Sequence, residues 1–334
     1  MLRTIAVVIP VLDDWKSFAA LIRGISDQFT GSGLTFQICA VDDGSMAPFD
    51  CDSVVLPEDS SIASLEVIRL AVNLGHQRAI AVGLCAIAGV DDIDAVVVMD
   101  SDGQDQPTDM AALLAAIRQN PMQIILAQRT KRSEPGSFRL WYCVYKLLFR
   151  VLTGQRISFG NFCMMPWAVV GRLVVMPELW NNLAASIMRS RLPYLTVPTV
   201  RGSRLAGQSK MGLTSLIVHG LSALSVHIDK IFARLLLAAA SIAGLAGFGI
   251  IVAGVIRIAT DLAIPGWATT IVGDLLIILL QTLVIVVAAS LTIVAGRSTR
   301  PIVPIVDFQP FVAPRQHFRF IRGASAPAIR EPAL

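Results

Sequence analysis

From residue 4 onward, short unbroken apolar runs alternate with stretches in which apolar residues recur every three or four positions. TIAVVIPV precedes a helical pattern over 18–29, FQICAVDD precedes one near 76–89, DAVVVMD precedes one over about 107–119, and QIILAQR closes the series. Val and Ile runs without polar alternation suit strands buried on both faces. Their alternation with helices predicts an α/β domain over residues 1–210, Rossmann-like, with a largely parallel sheet covered on both sides. The opening MLRTIAVVIPVLDD has the basic-then-apolar order of a secretion signal. Its apolar run is short, however, and ends in Pro10, Asp13 and Asp14, so it reads as the first strand.

The pattern changes after residue 230. Residues 235–256 carry no charge and as a helix would extend about 33 Å, enough to cross a hydrocarbon core of about 30 Å. Residues 275–295 form a second such run, entered at Asp274. Lys230 and Arg234 precede the pair and Arg297 and Arg300 follow it, while 258–274 holds neither Lys nor Arg. This asymmetry predicts that the α/β domain and the C-terminal tail are both cytosolic. Arg257 departs from the rule, and a long side chain at a helix end can snorkel to the interface.

Residues 211–230 read as an amphipathic helix on the membrane surface. Leu213, Leu216, Ile217, Leu221, Leu224 and Ile228 line one face; Thr214, Ser215, His219, Ser222 and Ser225 stand opposite. The stretch 138–152, with Trp141, Tyr142, Tyr145, Arg139, Lys146 and Arg150, reads either as a second interface helix or as a core-packing one. Pro and Arg are frequent in 297–334, where little fixed structure is expected. Ala239, Ala243 and Gly247 recur every four residues, a small-residue face suited either to a homo-oligomer or to packing against the second span.

Composition agrees with a membrane protein: of 334 residues, 54% are hydrophobic and only 16% are charged. The net charge of +4 is too small to argue for a nucleic-acid partner, and none is expected. Five cysteines, none in a CxxC pair, fit buried thiols rather than a disulfide framework or a zinc site.

The chemistry collects where strands end. VVVMDSDGQDQP breaks from a buried strand into Asp100, Ser101 and Asp102; FQICAVDDGS delivers Asp42 and Asp43; VVIPVLDD delivers Asp13 and Asp14. Any one of these is also what a solvated turn looks like. Three at one sheet edge make a constellation, because the crevice beyond the carboxyl ends of parallel strands is where ligands bind. Two carboxylates there suit a hard divalent cation, and others suit hydrogen bonds to a ribose or base. Arg129, after QIILAQ, and Arg204 and Lys210, in RLAGQSKMG, supply cations for phosphate oxygens.

VVIPVLDD, VDDGS, NLGHQRAIAVGL, the DSD segment and RLAGQSK occur together in an order that resembles the family 2 inverting glycosyltransferases of GT-A fold. With two apolar C-terminal runs, the chain is most similar to their polyprenyl-phosphate branch, and the resemblance covers residues 4 to about 296. It implies a GT-A domain followed by interface helices and two transmembrane helices, in a bacterial inner membrane. It also implies roles: Pro10, Leu12, Asp14, Val41 and Asp43 around the nucleoside; Asp100 and Asp102 holding Mg2+ or Mn2+ against the diphosphate; Ser101 and Gln104 at the nucleotide sugar; Arg129, Arg204 and Lys210 at phosphates.

His76, in the GHQ turn, is either a helix-cap residue or a proton-transfer group. Bacterial relatives usually carry a D-x-G-D-F segment, where this chain has Ser158, Phe159, Gly160, Asn161 and Phe162. A lipid phosphate is already anionic at neutral pH and attacks without a base, so Asn161 can serve by hydrogen bonding alone.

The implied reaction moves a sugar from a nucleotide diphosphate sugar to a polyprenyl phosphate. Between residues 129 and 156 seven basic residues face the single acid Glu134, a stretch suited to anionic lipid headgroups. A processive polysaccharide synthase would share the domain but normally carries QxxRW and more spans. A sugar-nucleotide-binding scaffold that has lost catalysis is the remaining alternative. A transporter is disfavoured because the spans hold no buried charge.

Overall fold

A computed structural model describes residues 2–50, 54, 56–129, 146–155, 159–200, 202–205, 213–260 and 266–321. The chain divides into two compact units, one of 1–147, 156–226 and 302–334, the other of 148–155 with 227–301.

The first unit is built on one mixed sheet. In chain order its elements are β1 (Thr4–Val11), α1 (Trp15–Phe29), β2 (Thr35–Asp42), β3 (Ile62–Leu70), α2 (His76–Ala88), β4 (Ala95–Val98), α3 (Pro107–Gln119) and β5 (Ile124–Arg129). After a helix at 146–153, α4, come β6 (Cys163–Pro166), α5 (Trp167–Leu173), α6 (Leu183–Ser190), β7 (Tyr194–Thr199) and α7 (Leu213–Ser225). With β8 (Val312–Ile321), from the end of the chain, the eight strands run in the order β7-β5-β6-β4-β1-β2-β3-β8. β3, β2, β1 and β4 are mutually parallel, β6 is antiparallel to both β4 and β5, and β7 is parallel to β5. The expected parallel sheet therefore forms the centre, and two antiparallel strands, β6 and β8, make the whole mixed.

The Val and Ile runs face two ways, as strand periodicity requires. On β1, Ala6 and Val8 join a core under α2, while Ile5, Val7, Ile9 and Val11 join another under α1 and α3. Phe18, Leu21, Ile22, Ile25 and Phe29 of α1 are buried at the spacing of one helix face. α2 approaches β1 closely: a Cβ on Gly83 would lie 2.5 Å from a Val8 methyl, so glycine is required there.

In place of the unstructured tail expected after Gly296, residues 302–321 return to the first unit. The Ile305 N–H donates to the Val174 carbonyl in α10 (Pro304–Asp307), and the Ala71 N–H donates to the Phe311 carbonyl. β8 (Val312–Ile321) then pairs antiparallel with β3. Its pairing covers backbone groups that β3 would otherwise leave open. Proline hid this strand from the sequence reading, but Pro314 is tolerated because β8 is an edge.

α7 buries Gly220 and Ala223 and leaves Val218 and Leu221 more than half exposed. It ends at Ser225, and Ile228 begins the next helix, so the expected 211–230 segment is broken in two.

The second unit contains α8 (Ile228–Ala259) and α9 (Trp267–Arg297), both long and apolar enough to cross a membrane. They contain the two predicted runs. Ala246 and Ala253 are buried, and a Cβ on Gly249 would touch Leu275 of α9 at 3.0 Å. Ala239, Ala243 and Gly247 are half-buried on this helix, and a Cβ on Gly247 would meet nothing within 4 Å. At the foot of α8, Arg234 donates to the Val151 carbonyl at the end of α4. Gly154, at φ 73°, makes room for that guanidinium.

Of the basic and aromatic stretch, Lys131, Arg132, Arg139, Trp141, Tyr142, Tyr145 and Arg156 lie outside the described residues. Lys146 and Arg150 are exposed, with Leu147, Leu148 and Val151 exposed beside them.

Candidate active site

Parallel pairing of β1 with β2 and β4 brings their carboxyl ends to one edge, Val11 opposite Asp42 and Val8 opposite Val98. Seven aspartates collect there, and hydrogen bonding divides them. Asp13, at φ 47°, receives the Met46 N–H at 2.6 Å, and its own N–H donates to Ser45 Oγ at 2.8 Å. Asp42 is buried, accepts from the Ser45 N–H at 2.8 Å and faces Arg69 at 3.6 Å. These two hold the loop after β2.

Asp43 accepts the N–H groups of Leu74 and Gly75 at 2.7 and 3.0 Å, tying the end of β2 to the start of α2. Burial raises its pKa to about 6, against the lowering effect of those N–H groups. A carboxyl that binds its proton more tightly when folded contributes stability that is complete below its ordinary 3.8 and is lost as pH rises through about 6. Asp43→Asn cannot accept both N–H groups as well and lacks this titration. The gap in melting temperature between wild type and variant is therefore expected to narrow from about pH 4 to about pH 7; a constant gap would refute the shift.

The others surround a cleft of mixed charge. Asp14 accepts from Ser17 Oγ at 2.7 Å and from Arg204 at 3.0 Å, and the same guanidinium stands 3.9 Å from Asp102. Arg204 is held by its loop: the Gly202 N–H donates to the Gln104 carbonyl at 2.9 Å, and the Leu205 N–H to the Asp102 carbonyl at 3.0 Å. Gly103 has φ 79°, and a Cβ there would fall 2.3 Å from Leu205, so the DSDG turn requires glycine for the loop to dock. Asp102 also accepts the Gln104 N–H at 3.0 Å. Burial raises its pKa, and the charge of Asp100 adds to the rise.

Asp105, which the sequence reading passed over, turns inward and is 2% exposed. It accepts the Asp100 N–H at 3.0 Å and the Arg129 guanidinium at 3.0 Å. Arg129 is thus engaged by a carboxylate rather than standing ready for phosphate alone. No pattern in DSDGQDQP separates the inward aspartate from the outward ones; burial does.

On the α2 side, His76 Nε2 lies 3.2 Å from Asp100 and 3.0 Å from Asn161 Nδ2. Gln77, also unassigned from sequence, donates to Asn161 Oδ1 at 3.1 Å and accepts the Leu183 N–H at 2.8 Å. Leu12 is 36% exposed. Pro10, Val41 and Ser101 are buried, and the Val41 side chain packs in the core against Gly83, so it is not available to a ligand. Lys210 and Ser158 lie outside the described residues.

Among the described residues no three His, Cys, Asp or Glu side chains form a cluster able to hold a metal alone. Asp100 and Asp102 nonetheless fit Mg2+ or Mn2+ in one respect. Mg2+ commonly takes one or two carboxylates and completes its shell with water and substrate phosphates, and the mutual charge that raises Asp102 is the kind a cation relieves.

This arrangement sets carboxylates and guanidinium groups at the carboxyl edge of a parallel sheet, the place where α/β folds bind ligands. The model of glycosyl transferase family 2 matches residues 6–172, half the chain, and the chain belongs to that family of glycosyltransferases, with a GT-A-like mixed α/β fold. A Bacillus subtilis (strain 168) protein named uncharacterized glycosyltransferase YkcC is 25% identical over 81% of this chain and 83% of its own length. The undecaprenyl-phosphate 4-deoxy-4-formamido-L-arabinose transferase of Erwinia tasmaniensis is 25% identical over 65% of each chain. The Salmonella typhimurium protein of that name is 25% identical over 49% of this chain and 48% of its own. Among solved structures, glucosyl-3-phosphoglycerate synthase from Mycobacterium tuberculosis, crystallised with Mn2+, UDP and glucosyl-3-phosphoglycerate, aligns over 69% of this chain and 80% of that one at 17% identity and a TM-score of 0.48.

Proposed function

We propose that this glycosyltransferase moves a sugar from a UDP- or GDP-sugar to a polyprenyl phosphate at the cytosolic face of a membrane, with inversion. The observation that carries the reading is the Arg204 guanidinium set between Asp14 and Asp102 at the sheet edge, in a chain that also has two apolar helices of membrane-spanning length. The relatives named for transfer to undecaprenyl phosphate agree with the acceptor.

In this reading Asp14 and Asp43 lie toward the nucleoside, Leu12 lines its pocket, and Gln104 and Asn161 hydrogen-bond the sugar side. Asp100 and Asp102 would hold Mg2+ or Mn2+, whose chemistry is to neutralise charge on the departing diphosphate. Arg204, Arg129 and Lys210 add to that neutralisation. The acceptor's phosphate oxygen forms the new bond to the anomeric carbon as the bond to the nucleoside diphosphate breaks on the opposite face. No proton need be removed from the attacking phosphate. Both substrates held in one site supply the orientation.

The test is the purified full-length protein with a panel of UDP- and GDP-sugars, undecaprenyl or dolichyl phosphate, and Mg2+ or Mn2+. A lipid product heavier by one sugar is expected. Absence of product across the panel, with nucleotide binding retained, would favour a binding or scaffold role.

A further inference from the structure

The amides of Gln77 and Asn161 form a relay whose direction can be read from one end. An amide's oxygen and nitrogen sides have the same shape, so orientation must come from a partner that can act only one way. The Leu183 N–H is such a partner. It is the first N–H of α6, just after the cap Asn182, has no acceptor within its own helix, and can only donate. It lies 2.8 Å from Gln77, whose facing atom must therefore be Oε1. Gln77 Nε2 then faces Asn161 at 3.1 Å, which requires Oδ1 of Asn161 on that side. Asn161 Nδ2 is left facing His76 at 3.0 Å, beside Asp100. The Gln77 side chain starts from the first turn of α2 and is 8% exposed, so both ends of the relay rest on helices.

We propose that Gln77 is a positioning residue. By accepting from α6 and donating to Asn161, it locks the Asn161 amide with its N–H side toward Asp100 and the sugar site, so that residue 161 offers a donor to a substrate oxygen. The inference rests on the glycosyl-transfer reading for its kinetic consequence, but the hydrogen-bond direction stands apart from it.

Gln77→Glu tests the polarity because it keeps the shape. One carboxylate oxygen still accepts from Leu183, and the other now demands a donor, which turns Asn161 over and presents its carbonyl to the site. With the donor and acceptor found by the panel, kcat is expected to fall about 10- to 100-fold while the donor KM stays within about 2-fold. In an Asn161→Ala background the same change should lower kcat no further, since Gln77 acts through Asn161. Equal losses in both backgrounds would show a packing or charge effect and overturn the proposal, as would an unchanged kcat in Gln77→Glu. Gln77→Met, should Gln77→Glu fail to fold, removes the lock without a charge; its kcat loss must likewise vanish in the Asn161→Ala background.

A readout independent of turnover uses 15N NMR of the side-chain amides in the metal-free full-length protein, with Gln77 assigned by substitution. Hydrogen exchange of the Gln77 NH2 that is slowed in wild type and released in Asn161→Ala supports the donation from Gln77 to Asn161; unslowed exchange in wild type overturns it. If wild type transfers no sugar, the functional reading fails and the NMR result still decides the relay.

Discussion

Asp102→Asn is expected to lower sugar transfer by about 100-fold or more, while leaving a protein that melts at the wild-type temperature and inserts normally. Asp102 stands in the loop beyond β4 with its side chain 18% exposed, and it contributes little to the core. An asparagine oxygen can still accept the Gln104 N–H, so the turn survives. Burial already disfavours the charged carboxylate, so a neutral amide costs the fold little. What disappears is the charged oxygen facing Arg204 and the second carboxylate of the cation pair. The amide would instead present a donor to the guanidinium, and the diphosphate would depart with less compensation. Asp109→Asn, in the first turn of α3, is the control and should stay within a few-fold of wild type. Metal-dependent transfer from a radiolabelled nucleotide sugar measures both, and near-normal turnover of Asp102→Asn would remove the cation assignment.

The parts legible in the sequence are those where one local signal suffices. β1, β2 and β4 show as Val and Ile runs because a strand covered on both faces has no polar side. α8 and α9 show by length and lack of charge. β3 was missed because Glu66 and Arg69 interrupt its apolar run, and their cost depends on neighbours the sequence does not display. β6 has only four residues, Cys163–Pro166, too few for any periodicity, yet with β8 it makes the sheet mixed.

The candidate site divides in the same way. Strand-end position and residue type point to Asp14, Asp100, Asp102 and Arg204, and the structure gathers them. Type alone cannot tell that Asp13 and Asp42 turn to loop N–H groups, or that Val41 packs inward. Gln77 looks like any polar residue in a first helical turn; its role depends on Leu183, far along the chain.

Asp105→Ala should be the most destabilising single change at the site, by about 3–5 kcal/mol. The side chain is 2% exposed and bridges the Asp100 N–H and the Arg129 guanidinium, each at 3.0 Å. Alanine leaves both without that acceptor, and Arg129, 28% exposed, is only partly resolvated in place. Asp105→Asn should cost less, because its one oxygen can keep either partner while its amide opposes the other. In a domain of this size the loss corresponds to a melting temperature lower by about 6–20 °C, and a fall below about 2 °C would refute the bridge. Replacing the pair, Asp105→Leu with Arg129→Met, should regain much of the stability, since two apolar side chains leave no buried charge behind. If Arg129 also meets the diphosphate, that double variant remains inactive although it is stable, and recovery of transfer along with stability would confine Arg129 to holding the loop.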